Sequence, residues 1–155
     1  MTRVKTVSIV YRQPNVLLGL KKKKFGVGKY NGFGGGVEQG ESLEQSAIRE
    51  TFEEAGITLI NPTRLGMILF KFQTNEQDHL VHFFRTNEYE GIPKESDEIT
   101  TDWFHESFLP YKQMWSGDKY WLPMLLAGKK FKGNFLFDKD FKIAEYKLEE
   151  VTNLD

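Results

Sequence analysis

The stretch from Lys21 to Gly56 constrains this chain more than any other part of it. Its first half, KKKKFGVGKYNGFGGG, is basic, aromatic and glycine-rich. That much glycine argues for irregular backbone making a close approach to something. Its second half reads as a helix entered at Glu41-Ser42 and running to Ala55. Ser42 with Gln45 three residues on suits a capping box, and Gly56 suits the stop. On a wheel advancing about 100° per residue from Ala47, Ile48, Thr51, Phe52 and Ala55 share an arc of about a third of a turn, the expected buried face. Glu50, Glu53 and Glu54 fall in the opposite arc. Like charges at i,i+3 and i,i+4 repel, and Arg49 can offset one of them through an i,i+4 pair with Glu53. The remaining excess suits either a fully wet face or a site for divalent cations, Mg²⁺ preferring a few carboxylates, some waters and substrate phosphates. The glycine loop favours the second, because it can bring backbone N–H and C=O groups against phosphates and metal. Lys21 to Lys24 can add point charges for phosphate oxygens, although a solvated basic turn suffices for most of the four.

The rest of the chain reads as an α+β domain. VKTVSIVY from Val4 and VLLGL from Val16 to Leu20 are strands, joined by a QPN turn. RLGMILFKF, HLVHFFRT and TTDWFH are further strand candidates, and EYEGIPKESDEI reads as a loop. SGDKYWLPMLLAG looks like a short helix in which Pro123 is tolerable only near the first turn. FKGNFLF and FKIAEYKL form a hairpin around Asp138-Lys139-Asp140. Helices packed on a mixed sheet are the expected architecture, and 155 residues suit one domain, 1–155, with a proper core. No apolar run is long enough to span a membrane, and the N-terminus reads as a strand with no signal-peptide pattern. There is no cysteine, so a reducing cytosol is the simplest home. A net charge of −1 argues against tight binding to polymeric nucleic acid. Nothing demands an oligomer, so a monomer is expected.

Gly35, five residues, Glu41, seven residues and then Arg49-Glu50-Thr51-Phe52-Glu53-Glu54-Ala55-Gly56-Ile57 resemble the Nudix box, GX5EX7REUXEEXGU. Every fixed position matches. Thr51 departs from the usual aliphatic residue, and it lies on the expected buried arc. The segments VLLGLKKKKFGVGKYNGFGG, ESDEI, MWSGDKYWLP and KKFKGNFLFD extend the resemblance, in order, to the animal-type 8-oxo-dGTP diphosphatases, MutT-like sanitisers of oxidised purine nucleotides. The resemblance implies a Nudix fold (an α/β/α sandwich) and cleavage of a small nucleotide, an oxidised purine nucleoside triphosphate, to monophosphate and pyrophosphate with Mg²⁺ or Mn²⁺. By position it makes Glu50 and Glu54 metal ligands and Glu53 a ligand or the general base. The Gly34 carbonyl and Glu98 of ESDEI join the metal shell. Glu41, Arg49, Gly35 and Gly56 take structural roles.

For the base, the resemblance implies stacking on Trp115, a hydrogen bond from Asn31 and edge recognition by Asp118. Thr6, Lys21, Phe25, Phe33, Gly34, Gly35, Gly36, Phe70 and Phe72 complete the substrate site. Simpler readings exist for several: Phe70 and Phe72 as core, Trp115 as a buried plug, Asp118 as a helix N-cap. Two departures stand out. Gly117 replaces the first of two successive aspartates, removing one carboxyl from the purine edge, and Gly36 replaces a lysine. The Gly117 change keeps open a Nudix hydrolase with another nucleotide substrate. A non-catalytic nucleotide-binding module is disfavoured by the intact glutamates. His79 and His82 are spaced HxxH, but on a strand an odd offset separates their faces, so they read as ordinary strand residues. No GxSxG motif or catalytic cysteine supports a nucleophilic triad.

Overall fold

A computed structural model describes residues 1–155. β1 (Thr2–Arg12), β2 (Asn15–Lys21), β3 (Tyr30–Asn31) and β4 (Phe33–Gly36) precede helix α1 (Leu43–Ala55). Then come β5 (Thr58–Ile60), β6 (Thr63–Phe72), β7 (Asp78–Thr86), β8 (Glu88–Glu90) and β9 (Ile99–His105). Helix α2 (Asp118–Leu126) leads to the hairpin of β10 (Phe131–Phe137) and β11 (Ile143–Glu150). Nine strands form one sheet along the path β11-β10-β6-β7-β1-β2-β3, with β4 on β1 and β9 on β2, while β5 and β8 pair separately. β1 runs parallel to β7 and β10 parallel to β6; the other pairs are antiparallel. The sheet is mixed, as expected.

Strand alternation places one core on each face. Ile9, Val16, Leu18, Ile68 and Phe83 pack against Trp121, Leu122 and Leu125 of α2. Their strand neighbours Val10 and Leu17 point the other way, joining Phe33, Ile57 and Ile99 against Ala55 of α1. The result is helix, sheet, helix. β1 also changes partner along one edge: Lys5 to Ser8 pair with β4, and Val10 to Arg12 pair with β2. The sheet splits where the partners change, and the glycine-rich segment runs along the split.

Four expectations change. The segment read as irregular contains two strands, β3 and β4. β4 is FGGG, poor in strand propensity, yet it pairs because the approach is too close for side chains. A Cβ on Gly34 would overlap the Thr6 carbonyl oxygen. Within the segment read as a loop, EYE is a strand, β8, paired with β5. Pro123 lies inside α2, not in its first turn. It deprives the Lys119 carbonyl of a donor, a loss placed on the helix side where both residues are exposed. Finally, the buried face of α1 is rotated from the expected arc. Phe52 is 57% exposed, whereas Ser46 and Glu54 are buried. Glu54 lies only about 20° from Ala47 on the wheel, and Gly34 and Gly35 of β4 have no side chains to keep it out. The ends of α1 match expectation: the Ser42–Gln45 capping box is complete, and Gly56 caps in the left-handed region at φ 72°.

The close approach of β4 gives a stability prediction. Gly34→Ala should cost about 3 kcal/mol through overpacking against β1. Gly36→Ala should cost less than about 0.5 kcal/mol, because its Cβ would meet nothing closer than the Arg3 guanidinium at 3.7 Å. Urea unfolding of the two variants checks this; equal midpoints would contradict the account of β4.

Candidate active site

α1 brings four charged side chains to the glycine strand. Arg49 grips Glu41 in two bonds, Nε to Oε2 at 2.6 Å and Nη2 to Oε1 at 2.9 Å. Its Nη2 also donates to the Gly36 carbonyl at 3.1 Å, and Nη1 reaches Glu50 at 2.9 Å and Glu53 at 3.2 Å. The hydrogen bonds from Arg49 hold the Glu41 carboxyl at a pKa of about 2. The expected Arg49–Glu53 pair is present, but it is one member of a larger set that also includes Glu38 at 3.6 Å.

The three helix glutamates occupy different environments. Glu53 is exposed. Glu50 is mostly covered and sits over Gly35, where an added Cβ would lie 2.6 Å from its carboxyl carbon. Burial raises the Glu50 pKa against the pull of Arg49. Glu54 is 4% exposed and accepts the Gly34 N–H at 2.8 Å. Burial lifts its pKa to about 8, and the charges of Glu50 and Glu98 add to that while Gly34 and Lys21 oppose it. Glu98 itself is turned to Lys24, 2.7 Å away, and that hydrogen bond lowers its pKa. No three acidic or histidine side chains converge closely enough to enclose an ion. The donor set still suits a hard divalent cation: carboxylate oxygens beside glycine backbone, with a Cβ omitted at Gly35 and carboxylates whose crowding a cation would relieve.

Glu54 forms one wall of a cleft of about 150 Å³, a volume that holds about one aromatic ring. Thr6, Lys21, Phe25, Asn31, Gly34, Gly35, Phe70, Phe72, Trp115 and Asp118 all line it, as expected. Trp115 is a half-buried wall, not a plug, stacked on Phe25 with centroids 5.0 Å apart and planes 24° apart. Phe25 meets the edges of Phe72 and His79 at 5.9 and 5.4 Å. Asn31 Oδ1 accepts the Gly32 N–H at 2.8 Å, leaving its amide nitrogen to donate. Asp118 is not an N-cap; it is the first residue of α2. Its Oδ1 accepts from Trp121 Nε1 at 3.0 Å, and its buried Oδ2 has no partner. Burial raises this carboxyl to a pKa of about 7. Gly117 is itself buried, and a Cβ there would press on the Phe135 ring at 2.8 Å.

Two expected substrate residues lie elsewhere. Phe33 is fully buried in the core beneath α1, because strand alternation turns it away from the cleft. Gly36 lies outside the lining, its carbonyl taken by Arg49. Thr6 turns its hydroxyl to Ser46 of α1 at 3.3 Å and so ties strand to helix. The sequence reading missed Lys5, Val7, His79, Val81, Phe83 and Phe137, all of which line the cleft. Period-two alternation was the available signal: His79, Val81 and Phe83 share one face of β7, paired beside Arg3, Lys5 and Val7 of β1. His82 does point away from His79, toward Arg64 at 3.1 Å. His79 is therefore a cleft residue, and HxxH is no metal pair.

Asp118 carries a pH signature. Its folded pKa lies above the ordinary 3.8, so the folded state binds the extra proton and loses relative stability as pH rises from about 4 to about 7. Asp118→Asn cannot ionise. Its thermal midpoint should therefore gain on wild type as pH is raised across that window and hold the gain above it. Parallel curves for the two proteins would show that Asp118 is ionised at no cost.

A model of the NUDIX domain matches residues 1–125. The oxidized purine nucleoside triphosphate hydrolase of Danio rerio is 44% identical over 153 residues, covering 99% of this chain and 98% of that relative. The Mus musculus protein of the same name is 40% identical over 150 residues, covering 97% and 96%. The crystal structure of a MutT protein from Bacillus halodurans superposes with a TM-score of 0.84 at 29% identity, over 95% of this chain and 97% of that one. With the box in register on β4 and α1, and the family model spanning most of the sequence, the chain belongs to the Nudix family of hydrolases.

Proposed function

We propose that this protein hydrolyses oxidised purine nucleoside triphosphates, of the 8-oxo-dGTP and 2-hydroxy-dATP type, to the monophosphate and pyrophosphate, and so cleanses the nucleotide pool. One observation carries the reading. A ring-lined slot with an unpartnered carboxyl oxygen of Asp118 on its wall also meets the buried Glu54 and the glycine backbone. A flat base with polar edges suits the rings and Asp118, and a phosphate chain with its cation suits the glutamates. The near full-length similarity to two proteins that bear this activity in their names supports it.

Nudix hydrolases generally use a divalent metal; here we assign Mg²⁺ or Mn²⁺. Glu50, Glu54 and the Gly34 carbonyl would hold it, with Glu98, now paired with Lys24, as a further carboxylate within the same site. When bound, the cation neutralises phosphate charge and acidifies water. Burial holds the Glu54 carboxyl at a pKa of about 8 in the free protein, and a cation beside it would favour its ionised form. Glu53, the wettest of the three, takes the proton from the attacking water or completes the ligand set. Water oxygen bonds to phosphorus, the phosphoanhydride bond breaks, and pyrophosphate leaves with the electron pair. Arg49 orients Glu50 and Glu53 without touching substrate. Asn31 and Asp118 read the base edge, Asp118 as donor when protonated and acceptor when not. The packing of Gly117 on Phe135 leaves one carboxyl at that edge, which favours, as a second reading, a Nudix hydrolase of a different or unmodified nucleotide. No helix is long and apolar enough to cross a membrane. One chain supplies the whole cleft, so we assign a monomer, and a chain free of cysteine suits the cytoplasm.

Glu54→Gln keeps an oxygen to accept the Gly34 N–H and removes the ionisable carboxyl. Pyrophosphate release from 8-oxo-dGTP should fall by about 100-fold or more, with no loss of thermal midpoint. Near-native release by this variant would remove Glu54 from the chemistry.

A further inference from the structure

Lys5 is a cation without a partner. It projects from β1 on the same face as Arg3 and Val7, and it lines the cleft together with Lys21. It is half buried, and it joins none of the protein's ion pairs. The carboxylates whose charge it feels, Glu76 and Glu50, are already engaged. Glu76 pairs with His79 Nε2 at 3.2 Å, and Glu50 with Arg49 at 2.9 Å. Two of the charges it feels most, Arg3 and Lys21, are positive. Burial, then repulsion from Arg3 and Lys21, brings its pKa down to about 8. A partly desolvated charge without a counter-ion costs stability, and like charges beside it raise that cost.

The position of Lys5 says what the cost is for. Its Nζ lies 5.7 Å from the centroid of Phe25, the ring stacked on Trp115. The charge of Glu50, whose carboxyl sits over the neighbouring Gly35, also reaches it. Lys5 therefore meets the ring slot directly and feels the field of the carboxylate end. There the backbone is bare: Lys5 pairs across the sheet with Gly36. The Arg3 guanidinium reaches to 3.7 Å from where a Gly36 Cβ would be. A polyanion lying along this edge would meet cations, with no side chain on Gly36 in its way.

We propose that Lys5, flanked by Arg3 and Lys21, forms a cationic cradle on β1 and β2 that holds the phosphate chain of the bound nucleotide. The inference rests on the nucleoside triphosphate reading and adds to it a phosphate-binding residue outside the Nudix box. The opposing reading makes Lys5 a counter-ion that steadies Glu50 and Glu76 in the free protein.

Calorimetric titration of the full chain with inorganic tripolyphosphate tests the cradle without depending on any base. Lys5→Met should weaken tripolyphosphate binding by about tenfold or more, while Lys5→Arg stays within about threefold of wild type. Affinity for 8-oxo-deoxyguanosine, which has no phosphate, should be unchanged in both. The Lys5→Met thermal midpoint should equal or exceed that of wild type, since an unpaired charge is removed. Equal tripolyphosphate affinity in wild type and Lys5→Met overturns the proposal. So does a matching loss of nucleoside affinity, and so does a lowered midpoint, which makes Lys5 a counter-ion. Failure of the hydrolase reading is seen separately, as absence of pyrophosphate release by wild type.

Discussion

The grip of Arg49 on Glu41 sets the geometry on which the rest of the site depends. A guanidinium is a planar fork whose donors leave in fixed directions. Here those directions are occupied by Glu41, the Gly36 carbonyl, Glu50 and Glu53. One side chain thus ties the end of the glycine strand, the loop after it and the outer face of α1. Glu50 is held over Gly35 as a consequence, and Glu54 is brought against the Gly34 N–H. A lysine could supply the charge but could not meet two oxygens of Glu41 and three other partners at once. Glu41 and Arg49 therefore need no contact with substrate to be required at those positions.

The electrostatics follow from that arrangement. The buried carboxyls of Glu54 and Asp118 both have raised pKa values, each first because of burial. The cleft meets them with cationic side chains, Lys5 and Lys21. Cations and proton-holding carboxyls are thus kept partly dry and incompletely paired in one small volume. Such a state is unfavourable for the free protein, and a metal–phosphate ligand would satisfy both sets. The ring slot adds the apolar part: Phe25 packs on both Phe72 and Trp115, and His79 edges in from β7.

Much of this was legible in the sequence, for identifiable reasons. The box has fixed spacing, and the helix caps are local chemistry, so Ser42, Gln45 and Gly56 appear where expected. The face of α1 was not legible. Wheel reasoning assumes that carboxylates seek water, whereas a strand made of glycines accepts Glu54 beside its backbone. β4 was hidden for a related reason: glycine is a poor strand former, and only the crowding by β1 explains its use. For the missed wall residues Lys5, His79 and Val81, alternation groups each strand's faces, but which face meets the cleft depends on the parallel register of β1 on β7, a pairing between segments far apart in the chain. Phe33 was misplaced by the same gap, since adjacent strand residues face opposite sides.

In the proposed site, choice of nucleotide would rest on very few groups. With Gly117 packed on Phe135, Asp118 is the only carboxyl at the base edge, and Asn31 offers one free amide nitrogen. Losing a hydrogen bond at a buried edge costs about 1–3 kcal/mol, enough to separate substrates by about tenfold to a hundredfold. The most direct measurement is kcat/KM for 8-oxo-dGTP, 2-hydroxy-dATP and dGTP under one set of conditions. A cleft built for oxidised purines should favour at least one of the oxidised nucleotides over dGTP by about tenfold or more. Equal values for all three would leave the bond-cleaving chemistry in place and contradict the sanitising role.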